Sequence, residues 1–375
     1  MSSGEPIRLR LAPHRRIGDQ VEVPAVVTHP EVGDFEHWYR VPARWADAVV
    51  DSADPFLLPL LYRAMADARP LVVDGPASPS LVRNLVEYQA GISRLSRVAP
   101  HEGQPRFTPV EVHVAEAAER ARPADDAVAA FSGGIDSTYT VQQHAFDRLG
   151  PATRPLSTAV MVQGFDIALD EVEGFAKAVA RARRILDDVD IELVEVASNV
   201  RWGEPTWLDL HGLAVPAALT LFGGRFSEGV VAGTVPYDRL DIARGQHPAL
   251  DWMAGSDAFT VIHDGAAVDR IDKAESLLSW DAALADLRFC FVGSAQGINC
   301  GRCPKCVKTW MVFRALGTTP ACFDVPVTEE VVDRLLPELS SGEPTRRYYS
   351  EVVLAAADER GVTEPWVDKL RSTLG

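Results

Sequence analysis

The sequence predicts an α/β protein: a parallel sheet flanked by helices, preceded by a further α/β region and followed by a cysteine knuckle and a helical tail. Three observations predict it. Apolar strand-like runs alternate with amphipathic stretches across residues 125–320, as in a parallel sheet covered by helices on both faces. The apolar run Ala127 to Phe131, flanked by Asp125 and Asp126, leads directly into Ser132-Gly133-Gly134-Ile135-Asp136-Ser137 and then a helical pattern. Four of the five cysteines fall between Cys290 and Cys306.

Residues 1–124 read as an N-terminal α/β accessory region. Ile7 to Leu11, Val21 to Val27, Leu71 to Val73 and Thr108 to Val114 have strand character. Ala43 to Ala68, interrupted near Pro55 and Pro59, and Ser80 to Leu95 have helical character. Trp38 and Tyr39 are expected to pack in a core, since aromatic rings bury large areas. Across residues 125–320 further strands are expected at Ala159 to Val162, Ile191 to Val196 and Gly229 to Ala232, with helices at Leu169 to Leu186 and Trp207 to Phe222. Residues 321–375 read as a polar helical tail, helical over Glu329 to Leu339 and Tyr348 to Arg360, with Ser340-Ser341-Gly342-Glu343-Pro344 as spacer. Packing or a homodimer contact is its expected role.

The turn at Ser132–Ser137 is where chemistry is expected. A strand that enters a glycine pair and leaves as a helix points unpaired amides at one spot. The helix dipole adds to the preference for an anion there. Glycine lets backbone approach phosphate closely. No lysine follows the glycine pair, so this is not the usual P-loop. Asp136 beside phosphates calls for a bridging cation such as Mg²⁺. Ligands of such sheets bind at the carboxyl ends of the strands. The loops Gln163-Gly164-Phe165-Asp166 and Gly233 to Asp238 are therefore expected to open on the same site as Ser132–Ser137. Lys273, in Asp272-Lys273-Ala274-Glu275, is a candidate for stabilising charge on departing pyrophosphate, set against the ordinary reading of a solvated helix lysine. His211, His247 and His263 are weaker candidates for a general base.

Composition narrows the partners. The chain has 375 residues and a net charge of −16, which disfavours duplex DNA or tRNA as main partner. No apolar run reaches the roughly 20 residues that span a bilayer, and Met1 to Arg16 has no signal-peptide stretch. A cytoplasmic protein is expected. In that compartment clustered cysteines favour metal over disulfides. Cys300-Gly301-Arg302-Cys303-Pro304-Lys305-Cys306 with Cys290 upstream suits a closed tetrahedral zinc site, with an iron–sulfur cluster as the alternative. Cys322 is expected to pack.

The set Ser132, Gly133, Gly134, Asp136 and Ser137 resembles the PP-loop of the ATP pyrophosphatase superfamily. With Asp272-Lys273-Ala274-Glu275 and the spacing of the four cysteines, residues 125–317 resemble the 7-cyano-7-deazaguanine synthase family. The resemblance implies an adenine nucleotide α-hydrolase-like (HUP-type) fold holding ATP, Mg²⁺ and Zn²⁺. It implies that Ser132, Gly133, Gly134 and Ser137 cradle pyrophosphate, with Gly164 and Gly233 also at the nucleotide. It implies Asp136 and Lys273 as catalytic residues and Cys290, Cys300, Cys303 and Cys306 as metal ligands. The implied activity adenylates a small-molecule carboxylate, releasing pyrophosphate, before ammonia or an amine attacks to give an amide or nitrile. Two loops depart from the family. Its Asp-Tyr-Gly-Gln stands here as Gln163-Gly164-Phe165-Asp166, and Pro236-Tyr237-Asp238-Arg239 replaces its Tyr-Pro-Asp-Cys-Arg. Residues 1–124 have no counterpart. The alternatives are sulfur transfer to a small molecule or tRNA, coupling of a deazaguanine to a protein amine, and a non-catalytic ATP-binding module.

Overall fold

The computed structural model describes residues 4–98, 106–123, 126–202, 207–242, 245–290, 292–341 and 344–375. Asp125, the boundary at 124/125, and Gly342 and Glu343 of the tail spacer lie outside the described residues.

The chain begins with β1 (Ile7–Leu11), β2 (Arg15–Ile17), β3 (Gln20–His29), β4 (Gly33–Pro42), α1 (Asp54–Ala66), β5 (Leu71–Ala77), α2 (Pro79–Val98) and β6 (Val112–Ala117). Strand and helix then alternate through β7 (Ala127–Ala130), α3 (Ile135–Ala145), β8 (Leu156–Gln163), α4 (Val172–Asp187), β9 (Glu192–Ser198), α5 (Trp207–Thr220), β10 (Glu228–Ala232) and β11 (Thr260–Asp264). The remainder is helical: α6 (Arg270–Leu277), α7 (Asp281–Asp286), α8 (Pro304–Ala315), α9 (Glu329–Leu339), α10 (Pro344–Glu359) and α11 (Pro365–Leu374). None of the described helices is long and apolar enough to cross a membrane.

Two compact units result. One comprises Met1–Ala130, Arg154–Phe165 and Leu193–Asp264; the other Phe131–Thr153, Asp166–Glu192 and Gly265–Gly375. The first unit carries the sheet, in the order β11-β10-β7-β8-β9-β4-β3-β1-β5-β6 with β2 on β3. Neighbours from β11 through β10 and β7 to β8 are parallel. So are β1 with β5 and β5 with β6, while β3 runs antiparallel to both β1 and β4. The expected parallel sheet is thus the β7–β11 half of a longer, mixed one. Residues 1–124 add strands to that sheet rather than building another. The join is β4 against β9, antiparallel, through Tyr39 opposite Ser198 and Arg40 opposite Ala197.

Helix α1 explains how this unit is filled. Eleven of its thirteen residues are buried, as expected of a helix that is apolar nearly all round. It packs on α5 and on β1 and β5, while α5 contacts β7, β8 and β10. Leu57, Leu58, Leu61, Leu213, Ala217 and Val231 meet in one core. Pro55 sits in the first turn of α1, where its missing N–H costs nothing.

The strand order carries a functional consequence. From β7 the chain moves outward to β8 and β9, then returns to the other side of β7 for β10 and β11. Such a reversal is a topological switch point, and open α/β sheets bind ligands outside the carboxyl ends of the strands there. The segment leaving β7 at that point is Phe131–Ser137.

In the second unit α3 lies on α6, α4 on α7, and α8 contacts α6, α9 and α10. Trp310 of α8 and Trp366 of α11 meet edge to face at 6.2 Å.

Candidate functional site

The site is built in the second unit, beginning with the turn after β7. Gly133 has φ +74, a left-handed conformation that glycine adopts without steric cost. Gly134 is the extended N-cap of α3. The two serines close the turn on itself. The Ser132 amide donates to Ser137 Oγ at 3.2 Å, the two hydroxyls are 3.2 Å apart, and the Gly134 amide donates to Ser132 Oγ at 3.3 Å. Ser137 Oγ also donates to the Gly134 carbonyl. The first amides of α3 have no partner within the helix, so the turn presents donors to an anion.

Asp136, in the first turn of α3, faces two cations of α6. Its Oδ2 accepts a hydrogen bond from Arg270 at 2.6 Å, and Lys273 Nζ is 3.5 Å from its Oδ1. Reciprocal bonds fix this pairing of helices: Gln142 Nε2 donates to the Ser276 carbonyl and Ser276 Oγ donates to Gln142 Oε1. A capping box of Asp269 and Asp272 starts α6 just before Arg270. Lys273 is 1% exposed, so the ordinary reading of a solvated lysine does not hold. A Cβ added at Gly265, whose φ is +81, would lie 3.4 Å from Lys273 Cε and from Tyr139 Cε1.

Four further residues, Tyr349, Arg288, Asp166 and Lys305, complete the pattern. Arg270 also donates to the Tyr349 hydroxyl at 3.4 Å and lies 5.3 Å from that ring. Arg288, 6% exposed, donates from Nε to the Ser132 carbonyl, while its backbone amide donates to the Gly133 carbonyl at 2.7 Å. Its guanidinium is 3.8 Å from Asp166. Lys305 interacts electrostatically with Asp166, Arg288, Arg270 and Asp136. Burial works against the charge of Arg270, but Asp136 and then Tyr349 more than restore it, and its pKa lies above the ordinary arginine value. Burial lowers the pKa of Arg288, with Asp166 and Cys290 opposing. Four cations thus gather about two carboxylates beside an amide-lined turn. Asp136 Oδ1 is buried and accepts no hydrogen bond among the described residues. Its neighbour is Lys273 Nζ at 3.5 Å, and a carboxylate oxygen that accepts no hydrogen bond at this place would fit a Mg²⁺ ligand.

The four-cysteine cluster, which could hold a metal, is in the same unit. The sulfurs of Cys290, Cys300, Cys303 and Cys306 all lie within 4.8 Å of one another, and all four residues are buried. Cys290 and Cys303 are 3.8 Å apart, as are Cys300 and Cys306. A tetrahedron with Zn–S bonds of about 2.3 Å has edges of about 3.8 Å, so the thiols fit zinc. The Gly293 amide donates to Cys290 Sγ and the Cys306 amide to Cys303 Sγ. Asn299 braces the centre: its Oδ1 accepts from the amides of Phe289 and Cys290, and its Nδ2 donates to the carbonyls of Leu287 and Cys322. Four sulfurs leave no open position, so a metal held there would be structural.

No protein-family model, curated protein or solved structure matches this chain.

Ser132, Gly133, Gly134, Asp136, Ser137 and Lys273 therefore stand together, and the four cysteines form one cluster. Gly164 and Gly233 belong to the first unit. Gly164, after β8, has φ +94. Gly233 follows β10, where an added Cβ would lie 2.4 Å from His263 Nε2. His263 Nδ1 is bonded to the buried Asp251 at 2.7 Å. His247 accepts through Nδ1 from the Ala249 amide. Asp238 is exposed in a short 3₁₀ turn. Sequence reasoning gave no role to Arg270, Arg288, Lys305 or Tyr349. A signal existed for Arg270, since it and Lys273 are three apart on one helix face. Tyr349 lies in the tail, where no local pattern points to the site.

Proposed function

We propose that this chain is an ATP pyrophosphatase of the PP-loop type, related to the 7-cyano-7-deazaguanine synthases, that activates a carboxylate for attack by nitrogen. A carboxylate oxygen attacks the α-phosphorus of ATP and pyrophosphate leaves. Ammonia or an amine then attacks the acyl carbon, AMP leaves and the nitrogen loses a proton. Where ammonia is the nucleophile, a second activation, of the amide oxygen, followed by loss of both remaining N–H protons and of AMP, gives a nitrile. The observation that carries the reading is the turn Ser132–Ser137 at the switch point of the sheet, with Asp136 set against buried Arg270 and Lys273.

Each residue has a task. The turn amides and the hydroxyls of Ser132 and Ser137 hold the pyrophosphate end of ATP. Arg270 and Lys273 offset its growing charge, an electrostatic contribution that is large in a site shielded from water. Asp136 would hold Mg²⁺, which when bound would neutralise part of the phosphate charge. The acceptor is a small carboxylic acid, with 7-carboxy-7-deazaguanine the first to try, in a cytoplasmic enzyme that holds one zinc.

Sulfur transfer is less well supported. Four thiols are gathered in the metal cluster. The fifth, Cys322, is fully buried, and burial pushes its pKa up to about 12; thiolate, not thiol, is the nucleophile.

The test is exchange of radiolabelled pyrophosphate into ATP, run with Mg²⁺ and a panel of carboxylic acids that includes 7-carboxy-7-deazaguanine. Acid-dependent exchange, with trapping of the acyl group by hydroxylamine, supports adenylation. Nucleotide binding without exchange under any acid would leave a binding module instead.

A further inference from the structure

Arg288 lies two residues before Cys290, yet its hydrogen bonds go to the turn, and its guanidinium faces Asp166 at 3.8 Å. Its amide donates to the Gly133 carbonyl at 2.7 Å and its Nε to the Ser132 carbonyl at 3.3 Å. A Cβ on Gly133 would sit 3.6 Å from the Arg288 Cβ. Lys305 is likewise interposed between the ligands Cys303 and Cys306 and acts on Asp136 and Asp166. The segment that carries Arg288 is pinned by Asn299 at Leu287, Phe289 and Cys290. Phe289 also packs against Phe323, and the Cys290 sulfur ties the segment to the cluster.

We infer that the four-cysteine metal centre sets the shape of the phosphate-binding turn, with Arg288 as the positioning residue that links them. Four thiolates this close repel one another unless a cation joins them, and binding that cation is coupled to local folding. Loss of metal frees Cys290, and with it the backbone from which Arg288 holds Ser132 and Gly133. Outer groups around a metal orient its ligands; here the coupling also runs outward, from ligand to turn. The statement about the turn stands on the contacts alone. Its consequence for pyrophosphate rests on the proposed function.

The test is hydrogen–deuterium exchange of the peptide spanning residues 131–137 in three samples: metal-loaded protein, chelator-treated protein, and metal-loaded Arg288→Met. The expected result is exchange about tenfold faster in the latter two, the scale of one lost charge-assisted hydrogen bond. Metal content of the variant should equal wild type, a peptide in α4 should be unchanged, and Arg288→Lys should restore part of the protection. If chelation unfolds the whole chain by circular dichroism, Arg288→Met decides alone. Unchanged exchange in folded, metal-free protein, or faster exchange in Arg288→Met only when metal is also lost, overturns the inference. Calorimetry with inorganic pyrophosphate then separates the two claims. Binding about tenfold weaker in Arg288→Met extends the coupling to the ligand. No binding to loaded wild type would count against the proposed function and leave the exchange result to judge the coupling.

Discussion

Asp136 and Arg270 are joined by a 2.6 Å hydrogen bond from guanidinium to carboxylate Oδ2, with Lys273 on the other oxygen. The carboxylate is 18% exposed and the guanidinium 9%, so the pair is largely withdrawn from water. Asp136 is thus committed to two cations that an arriving polyphosphate would also attract. Nucleotide would draw Arg270 and Lys273 toward its phosphates and release Asp136 for Mg²⁺.

Removing the carboxylate should therefore harm folding as well as chemistry. Asp136→Ala leaves two buried cations without their anion, and a destabilisation of about 3 kcal/mol is expected in denaturant unfolding. Asp136→Asn keeps hydrogen-bonding capacity and should fold better than Asp136→Ala, while forming no AMP. Turnover by Asp136→Asn near the wild-type rate would remove Asp136 from the mechanism.

Gly133→Ala tests the turn. A residue with a Cβ at φ +74 is strained by about 1 kcal/mol, while the nearest atom to that Cβ, at 3.6 Å, is in ordinary contact. The melting temperature should fall only slightly. Pyrophosphate binding should fall at least about tenfold as the amides turn away, since each tenfold is about 1.4 kcal/mol. Unchanged binding would show that the turn is not the anion site.

How much of this was readable follows from locality. The turn announces itself because strand, glycine pair and helix are consecutive in sequence, and the cysteine cluster because Cys300, Cys303 and Cys306 are close neighbours. The parallel half of the sheet follows from alternation, although β11 was not recognised as a strand. The site's remaining charges are contributed by distant segments: Arg288 and Tyr349 meet the turn and α6 only through the fold. Lys273 looks like a surface lysine until α3 covers it. The continuity of the sheet was hidden for a related reason. Strand β4 buries His37 alternately with Tyr39 and Val41, so its core-facing row is interrupted by a polar residue. Its neighbour Trp38 was expected in a core but is half-buried, under the Arg40 guanidinium at 4.1 Å. The tail, expected to pack or to make a dimer contact, supplies Tyr349.

His37 makes stability depend on pH. It is fully buried among Tyr39, Phe56 and Trp202, neither ring nitrogen has a hydrogen-bond partner among the described residues, and burial pushes its pKa down to about 3. The unfolded chain takes up this proton near pH 6.5, the folded chain only near pH 3. Below pH 6.5 the unfolded state therefore binds more protons, and stability should fall by up to about 1.4 kcal/mol per pH unit from this group. Above pH 6.5 it contributes no slope. His37→Phe should remove that share of the slope between pH 6 and pH 4, measured by urea unfolding. Identical slopes in variant and wild type would contradict it.

Thiol chemistry should separate the cysteines. All five are buried, and a thiol reagent at neutral pH should modify none in native, metal-loaded protein. Chelation should expose the four cluster thiols, whereas Cys322 should react only on unfolding. Cys303→Ser should lose metal, and Cys322→Ser should keep it.

The most direct measurement is the identity of the nucleotide formed from ATP. Purified metal-loaded protein would be incubated with ATP, Mg²⁺, ammonium and the acid panel, and the nucleotides separated. Cleavage at the α-phosphorus predicts AMP and pyrophosphate in equal amounts, dependent on an acid and absent in Asp136→Asn. ADP and phosphate, or no acid-dependent nucleotide product with any member of the panel, would contradict the assignment of Ser132–Ser137 as a pyrophosphate-binding turn in an adenylating enzyme.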